Sequence, residues 1–218
     1  MTKKVAVVLA GCGVYDGAEI NEAVLTLLAL EEAGATYQCF APNIAQMHVI
    51  NHLTGEVMNE SRNVLVEAAR IARGNIKDVA EGRVEEFDAL LVPGGFGAAK
   101  NLSDFAVKGS ALTVQSDFLR FAQAFHQAGK PVGLICIAPA MSARIFGAGV
   151  ECTIGNDAET AAAIEATGGK HVTCPVDKAV VDKRNKLVTT PAYMLAGKVS
   201  EAAAGIRACV RDVLGLCG

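Results

Sequence analysis

The sequence predicts a doubly wound α/β domain, a mostly parallel sheet with helices on both faces. Short apolar runs such as Val5-Ala6-Val7-Val8-Leu9 and Ala89-Leu90-Leu91-Val92 are continuous rather than alternating, as expected of strands buried on both faces. Segments with helical apolar spacing separate those runs, so strand and helix alternate along the chain. Glycine-rich turns follow the strands, at 11–17 and at Pro93-Gly94-Gly95-Phe96-Gly97.

After the first strand and its glycine loop, residues 19–33 read as a helix. Its apolar stripe is Ile20, Ala23, Val24, Leu27, Leu28 and Leu30, and Gly34 is the stop. The spacing turns Ile20, Val24 and Leu27 inward and leaves Glu22 off the stripe. Residues 36–40 form the second strand. The stretch 42–59 is irregular and too long for an ordinary connection, which suggests a functional loop. A helix is expected at 61–73, a strand at 88–92 and a helix at 112–127. A strand at 132–135 then runs into a helix at 141–146. A helix at 157–166 precedes short strands at 172–174, 179–181 and 187–190, with Asp182-Lys183-Arg184-Asn185-Lys186 as a hairpin turn. Residues 196–214 form the last helix. A single domain over 1–218 is expected, without internal repeat or linker.

Composition narrows the function classes. The 218 residues are 51% apolar with net charge −3 and no long basic run, which argues against a nucleic-acid partner. Seven cysteines, an odd number with no C-x-x-C pair, favour a reducing compartment, read as the cytoplasm. The apolar start is broken by Gly11-Cys12-Gly13 and Asp16, so it reads as a strand and not as a signal or membrane segment.

The chemistry centres on Cys136. In Val132-Gly133-Leu134-Ile135-Cys136-Ile137-Ala138-Pro139 a strand stops at the cysteine, and Pro139 suits the first turn of a helix. A nucleophile at a strand-to-helix turn projects into the cleft above the sheet, where the helix N-terminus favours a thiolate. A free cysteine is also an ordinary small core residue. The Gly94-Gly95 turn ends a neighbouring strand, and ligands of doubly wound sheets bind beyond the carboxyl ends of strands. The N–H groups of Gly95 and Ile137 fit an oxyanion hole. Glu22 is the candidate proton carrier, against the default of a solvated first-turn glutamate. His52, in the long loop, could assist, although a loop histidine is more often a solvent-facing residue. No cluster has metal-ligand spacing, and no dinucleotide or phosphate-binding fingerprint is present, so no cofactor is expected.

Together, 92–103 (Val-Pro-Gly-Gly-Phe-Gly-Ala-Ala-Lys-Asn-Leu-Ser) and 133–140 (Gly-Leu-Ile-Cys-Ile-Ala-Pro-Ala) resemble the ThiJ/PfpI superfamily of class I glutamine-amidotransferase-like proteins. Gly11-Cys12-Gly13-Val14-Tyr15-Asp16-Gly17, Ile50-Asn51-His52-Leu53-Thr54-Gly55-Glu56 and Thr189-Thr190-Pro191-Ala192-Tyr193-Met194 are similar to its ElbB branch, the enhancing lycopene biosynthesis proteins. The resemblance spans essentially the whole chain. It implies a flavodoxin-like fold, usually a homodimer, and a link to isoprenoid biosynthesis. It also implies Cys136 as nucleophile, Glu22 as the acid beside it, and Gly94, Gly95 and Ile137 around the oxyanion. The implied activity is a cofactor-free glyoxalase acting on a small α-oxoaldehyde. One departure is visible: 152–157 (Cys-Thr-Ile-Gly-Asn-Asp) lacks the histidine that many members carry there, and the amidotransferase His-x-Glu pair is missing. Glutamine hydrolysis and peptidase activity are therefore not expected. A cysteine redox sensor and a non-catalytic metabolite- or partner-binding module are the competing readings.

Overall fold

The computed structural model describes residues 2–218. The strands of its main sheet are β1 (Lys4–Val8), β2 (Thr36–Ala41), β3 (Ile76–Asp78), β4 (Ala89–Val92), β5 (Val132–Ile135), β8 (Val180–Asp182) and β9 (Leu187–Thr190). These seven lie in the order β3-β2-β1-β4-β5-β9-β8, parallel throughout except for the antiparallel β8–β9 hairpin. A separate parallel pair joins β6 (Glu151–Cys152) to β7 (Lys170–His171). The helices are α1 (Ile20–Glu32), α2 (Val64–Ile71), α3 (Phe96–Lys100), α4 (Phe105–Lys108), α5 (Ser116–Gln127), α6 (Ser142–Phe146), α7 (Ala158–Ala166) and α8 (Val199–Gly215). This is the doubly wound α/β architecture that the alternating pattern anticipates, in the flavodoxin-like form that the resemblance implies.

The continuous apolar strands build two cores. Ala6, Val8, Leu90, Val92, Val132 and Leu134 pack on Phe118 and Phe125 of α5. Val5, Val7, Leu91 and Ile135 face the other way, toward Ala23 and Leu30 of α1 and Ile206 and Val210 of α8. Adjacent residues of one strand thus feed opposite cores, so neither face can carry a polar alternation. Each fully buried Leu, Ile or Phe contributes roughly 1.5–3 kcal/mol against exposure, which stiffens the strand ends that bear the site.

Several expected bounds shift for local reasons. The second helix begins at Val64, because Asn63 caps it by accepting from the Val66 N–H. The helix expected from 112 begins at Ser116, with the Gln115 side chain accepting from Phe118 N–H. The strand expected at 172–174 lies instead at Lys170–His171: the Val172 N–H still donates to Cys152 O, and the chain then turns toward Pro175, which has no N–H to extend a ladder. The sequence pattern does not anticipate β3 and β6; neither exceeds three residues, too short for a periodic signal.

The largest reversal is on α1. Ile20 and Val24, expected inward, lie on the exposed side with Leu28, Val24 at 49%; Leu27 packs partly buried on the core as expected, and Glu22, Ala23, Thr26, Ala29 and Leu30 face inward. Apolar residues occupy both sides of this helix, so the stripe alone does not identify the buried one.

Candidate active site

β5 ends at Ile135 and the chain turns sharply at Cys136, whose φ of 64° is a left-handed conformation that a residue with a Cβ adopts at a cost. The Cys136 N–H donates to Thr190 O at 2.9 Å, which fixes the bend to β9. The chain continues into a 3₁₀ turn, Ala138–Met141, with Pro139 early in it, and only then into the five-residue α6. The helix N-terminus expected to face the cysteine is thus a 3₁₀ turn, with the expected short helix following it.

Glu22 lies beside the thiol. It is 0% exposed, on the inward face of α1. Its Oε2 accepts from Gly94 N–H at 2.9 Å and its Oε1 from Tyr193 N–H at 3.1 Å. The Cys136 side chain and this carboxyl group both flank Gly94, and each influences the other's protonation. Burial pushes the Glu22 pKa up to about 7, with the charge of Glu19 adding to it; the Tyr193 N–H, the neighbouring Cys136 thiol and the Gly94 N–H pull the other way. Burial also pushes the Cys136 thiol well above its usual range. The Glu22 charge reinforces that rise, and the Gly95 and Ile137 N–H groups oppose it without overcoming it. Burial thus favours a protonated thiol beside its base, where the sequence suggests a thiolate.

The glycines are required by sterics. A Cβ on Gly94 would stand 2.4 Å from Cys136 Cβ and 2.8 Å from Glu22 Oε2. Gly95 has φ 92°, and a Cβ there would meet Glu19 N at 2.3 Å. Gly95 and Ile137 turn their N–H groups to the sulfur. Gly94 does not share that role, contrary to expectation: its N–H is committed to Glu22 and its carbonyl accepts from Glu19 N–H at 2.9 Å.

His52 also departs from expectation. It sits where Nδ1–H donates to Ile50 O at 3.0 Å and Nε2 accepts from Tyr15 N–H at 3.2 Å, the tautomer following from the network. Its ring packs on Tyr15 at 4.9 Å between centroids. Asp16, buried, accepts from Ile50 N–H at 2.7 Å, and Asn101 Oδ1 accepts from Met47 N–H at 3.0 Å. The Tyr15–His52 and Ile50–Asp16 bonds tie the 42–59 loop to the 11–17 loop, and Asn101, whose Nδ2 donates to Asp16 O at 2.9 Å, links both to the end of α3. Neither His52 nor any other residue of 42–59 lines the cavity above Cys136.

That cavity holds about 310 Å³. Cys136, Ile137 and Gly95 form part of its lining, and apolar side chains from α3 and α4, with Met194, supply most of the rest. Sequence reasoning missed two polar contributors. Glu19 caps α1 by accepting from Glu22 N–H at 2.6 Å, and burial raises its pKa. Tyr193 lines the cavity and holds Glu22 through its N–H; Ala192, at φ 43°, delivers that N–H. Among the described residues no group of three or more His, Cys, Asp or Glu side chains is arranged to hold a metal ion, and no helix is long and apolar enough to cross a membrane.

A cysteine elbow, a glycine-pair turn and a buried glutamate on this sheet order coincide with a sequence match to the DJ-1/PfpI family model over residues 3–194. The chain belongs to the DJ-1/PfpI family. It is 51% identical over 225 residues to human "Glutamine amidotransferase-like class 1 domain-containing protein 3, mitochondrial", covering 99% of this chain and 84% of that protein. It is 48% identical, with the same coverage, to the rat "ES1 protein homolog, mitochondrial". Among solved structures, an "isoprenoid biosynthesis protein with amidotransferase-like domain" from Ehrlichia chaffeensis superposes with a TM-score of 0.93 at 40% identity, over 99% of both chains. Drosophila melanogaster DJ-1beta, at 19% identity and a TM-score of 0.55 over 99% of this chain and 96% of that one, shares the fold. The Ehrlichia neighbour's name suggests the ElbB branch within the family.

Proposed function

We propose that the chain is a glyoxalase-type enzyme converting glyoxal to glycolate and methylglyoxal to lactate. The observation that supports this most is the Cys136–Glu22 pair, a thiol on a strained elbow beside a buried carboxyl group whose pKa burial pushes up to about 7. Glu22 takes the thiol proton as sulfur attacks the aldehyde carbon, then passes it to the new oxygen, giving a hemithioacetal. The Gly95 and Ile137 N–H groups stabilise the developing oxyanion. Glu22 next draws the proton from the carbon bonded to sulfur, and the electron pair forms an enediol. Protonation at the neighbouring carbon leaves a thioester, which water hydrolyses to the hydroxyacid and the free thiol. One carbon is oxidised and its neighbour reduced by the same two electrons, so the balance closes without a cofactor.

Acid formation in thiol-free buffer tests the reading. Cys136→Ala and Glu22→Gln should each lose turnover by on the order of 10²-fold or more. Background rates in all three proteins would retire the enzyme. A redox role would then be preferred, since a protonated Glu22 can donate to the oxygen of an oxidised sulfur. Mass spectrometry after dilute peroxide would register that oxidation.

We also place the chain in a homodimer. Ile20, Val24 and Leu28 form an exposed apolar row at helical spacing on the outer face of α1, the helix whose inner face holds Glu22. Val24→Glu should shift the mass in sedimentation equilibrium from dimer to monomer; a wild-type monomer at micromolar concentration would remove the dimer. The cytoplasm remains our placement on cysteine content, with the mitochondrion of the named relatives as the alternative that fractionation distinguishes. The isoprenoid link is likewise carried from the Ehrlichia neighbour as a proposal.

A further inference from the structure

The cavity above Cys136 is larger and drier than methylglyoxal requires. A cavity of about 150 Å³ lined by apolar side chains already holds a benzene molecule, and this one is about 310 Å³. Its walls are Val14, Phe96, Ala99, Phe105 and Ala106, which converge on Ile137 beside the thiol. Among the described residues no lysine, arginine or histidine lines it; Lys100 belongs to a neighbouring cleft, where its Nζ donates to Tyr15 O at 2.9 Å. The titratable side chains facing the space are Glu19 and the thiol, with the Tyr193 and Thr160 hydroxyls as the remaining side-chain polar groups. A phosphate or carboxylate on the substrate would meet a glutamate and no cation, while an apolar substituent would shed water against five apolar walls. The same absence leaves the carboxylate of a free amino acid such as glutamine without a partner.

We propose that the preferred substrate class is a neutral α-oxoaldehyde bearing a bulky apolar substituent, of the size of a phenyl or branched C5 group. This rests on the glyoxalase reading of the Cys136–Glu22 pair. The dicarbonyl head reaches Cys136 and the Gly95 and Ile137 N–H groups, and the apolar tail lies between α3 and α4. For phenylglyoxal the balance is unchanged: phenylglyoxal and one water become mandelate, the aldehyde carbon oxidised and the ketone carbon reduced by two electrons.

The test compares kcat/KM for phenylglyoxal and methylglyoxal in wild type and in Ala106→Phe, which fills the cavity from an exposed rim position. Phenylglyoxal should exceed methylglyoxal by about tenfold or more, and the ratio should fall toward one in Ala106→Phe. A ratio at or below one in wild type, unchanged by Ala106→Phe, overturns the substrate class while leaving the glyoxalase reading in place. If neither aldehyde is turned over, the glyoxalase reading fails. The cavity's preference is then read from calorimetric binding of acetophenone to Cys136→Ala. Saturable binding abolished by the added Ala106→Phe supports an apolar carbonyl ligand, and its absence overturns one.

Discussion

The two ends of β5 each face a buried cysteine, and only one of them is built for chemistry. Near its start, Gly133 packs against α8, where an added Cβ would lie 2.4 Å from a Leu91 methyl, 2.9 Å from Val213 and 3.3 Å from Cys209 Sγ. Cys209 is 0% exposed, burial pushes its thiol up, and its hydrogen-bond acceptor is the Val188 carbonyl. At the far end Cys136 is 7% exposed and its thiol is raised as well. Burial and an elevated thiol are therefore common to both. What distinguishes Cys136 is a carboxyl base, two facing N–H groups, a strained φ and an adjoining cavity. In this fold the reactive position is defined by what is aimed at the sulfur rather than by a thiol that ionises on its own.

Substitutions at the paired glycines separate the two ends most strongly. Gly94→Ala drives a methyl group into Cys136 and Glu22, whereas Gly133→Ala presses on the movable side chains of Leu91 and Val213. Both should lower stability in urea titration, each by roughly 1–3 kcal/mol or more. Only Gly94→Ala should remove turnover from the protein that remains folded. Equal specific activity in the two variants would break the distinction.

Glu22 gives the next largest effect. Its folded pKa of about 7 lies above the ordinary carboxylate range, so the folded state binds more protons between those values than the unfolded chain does. The advantage of a protonated Glu22 is full below the ordinary carboxylate range and lost as pH rises through about 7. Wild type should lose on the order of 3 kcal/mol relative to Glu22→Gln between about pH 4.5 and 8. Parallel pH–stability curves would contradict the buried, titrating carboxyl group.

His52→Ala should cost about 1 kcal/mol through lost loop bonds, with kcat reduced by no more than a few fold. A loss on the scale of Glu22→Gln would restore His52 to the catalytic site. Cys209→Ala should have the smallest effect, about 1 kcal/mol from a small void, with wild-type kinetics.

Much of this arrangement is legible in the sequence. Continuous apolar runs identify the central strands, and the Gly94-Gly95 and Cys136-Ile137-Ala138-Pro139 turns mark the strand ends that meet at the site. α1 is the instructive failure: Ile20, Val24 and Leu28 outcompete Glu22 and Thr26 in any apolar reading, yet the polar pair is buried because each finds partners. Tyr193 is hidden for a different reason. It holds Glu22 through a backbone N–H, which every residue but proline possesses, and a positive φ at Ala192 directs it. His52 shows the converse, a chemically suggestive side chain whose ring atoms are committed to loop backbone.

The most direct test of the central claim, that Glu22 activates a protonated Cys136 thiol, is the pH dependence of kcat/KM for methylglyoxal from about pH 5 to 9 in wild type and Glu22→Gln. The account predicts a wild-type rate that rises with a midpoint near 7 as Glu22 ionises, and a Glu22→Gln rate lower by on the order of 10²-fold with that midpoint gone. A Glu22→Gln profile with the wild-type midpoint and rate would contradict it.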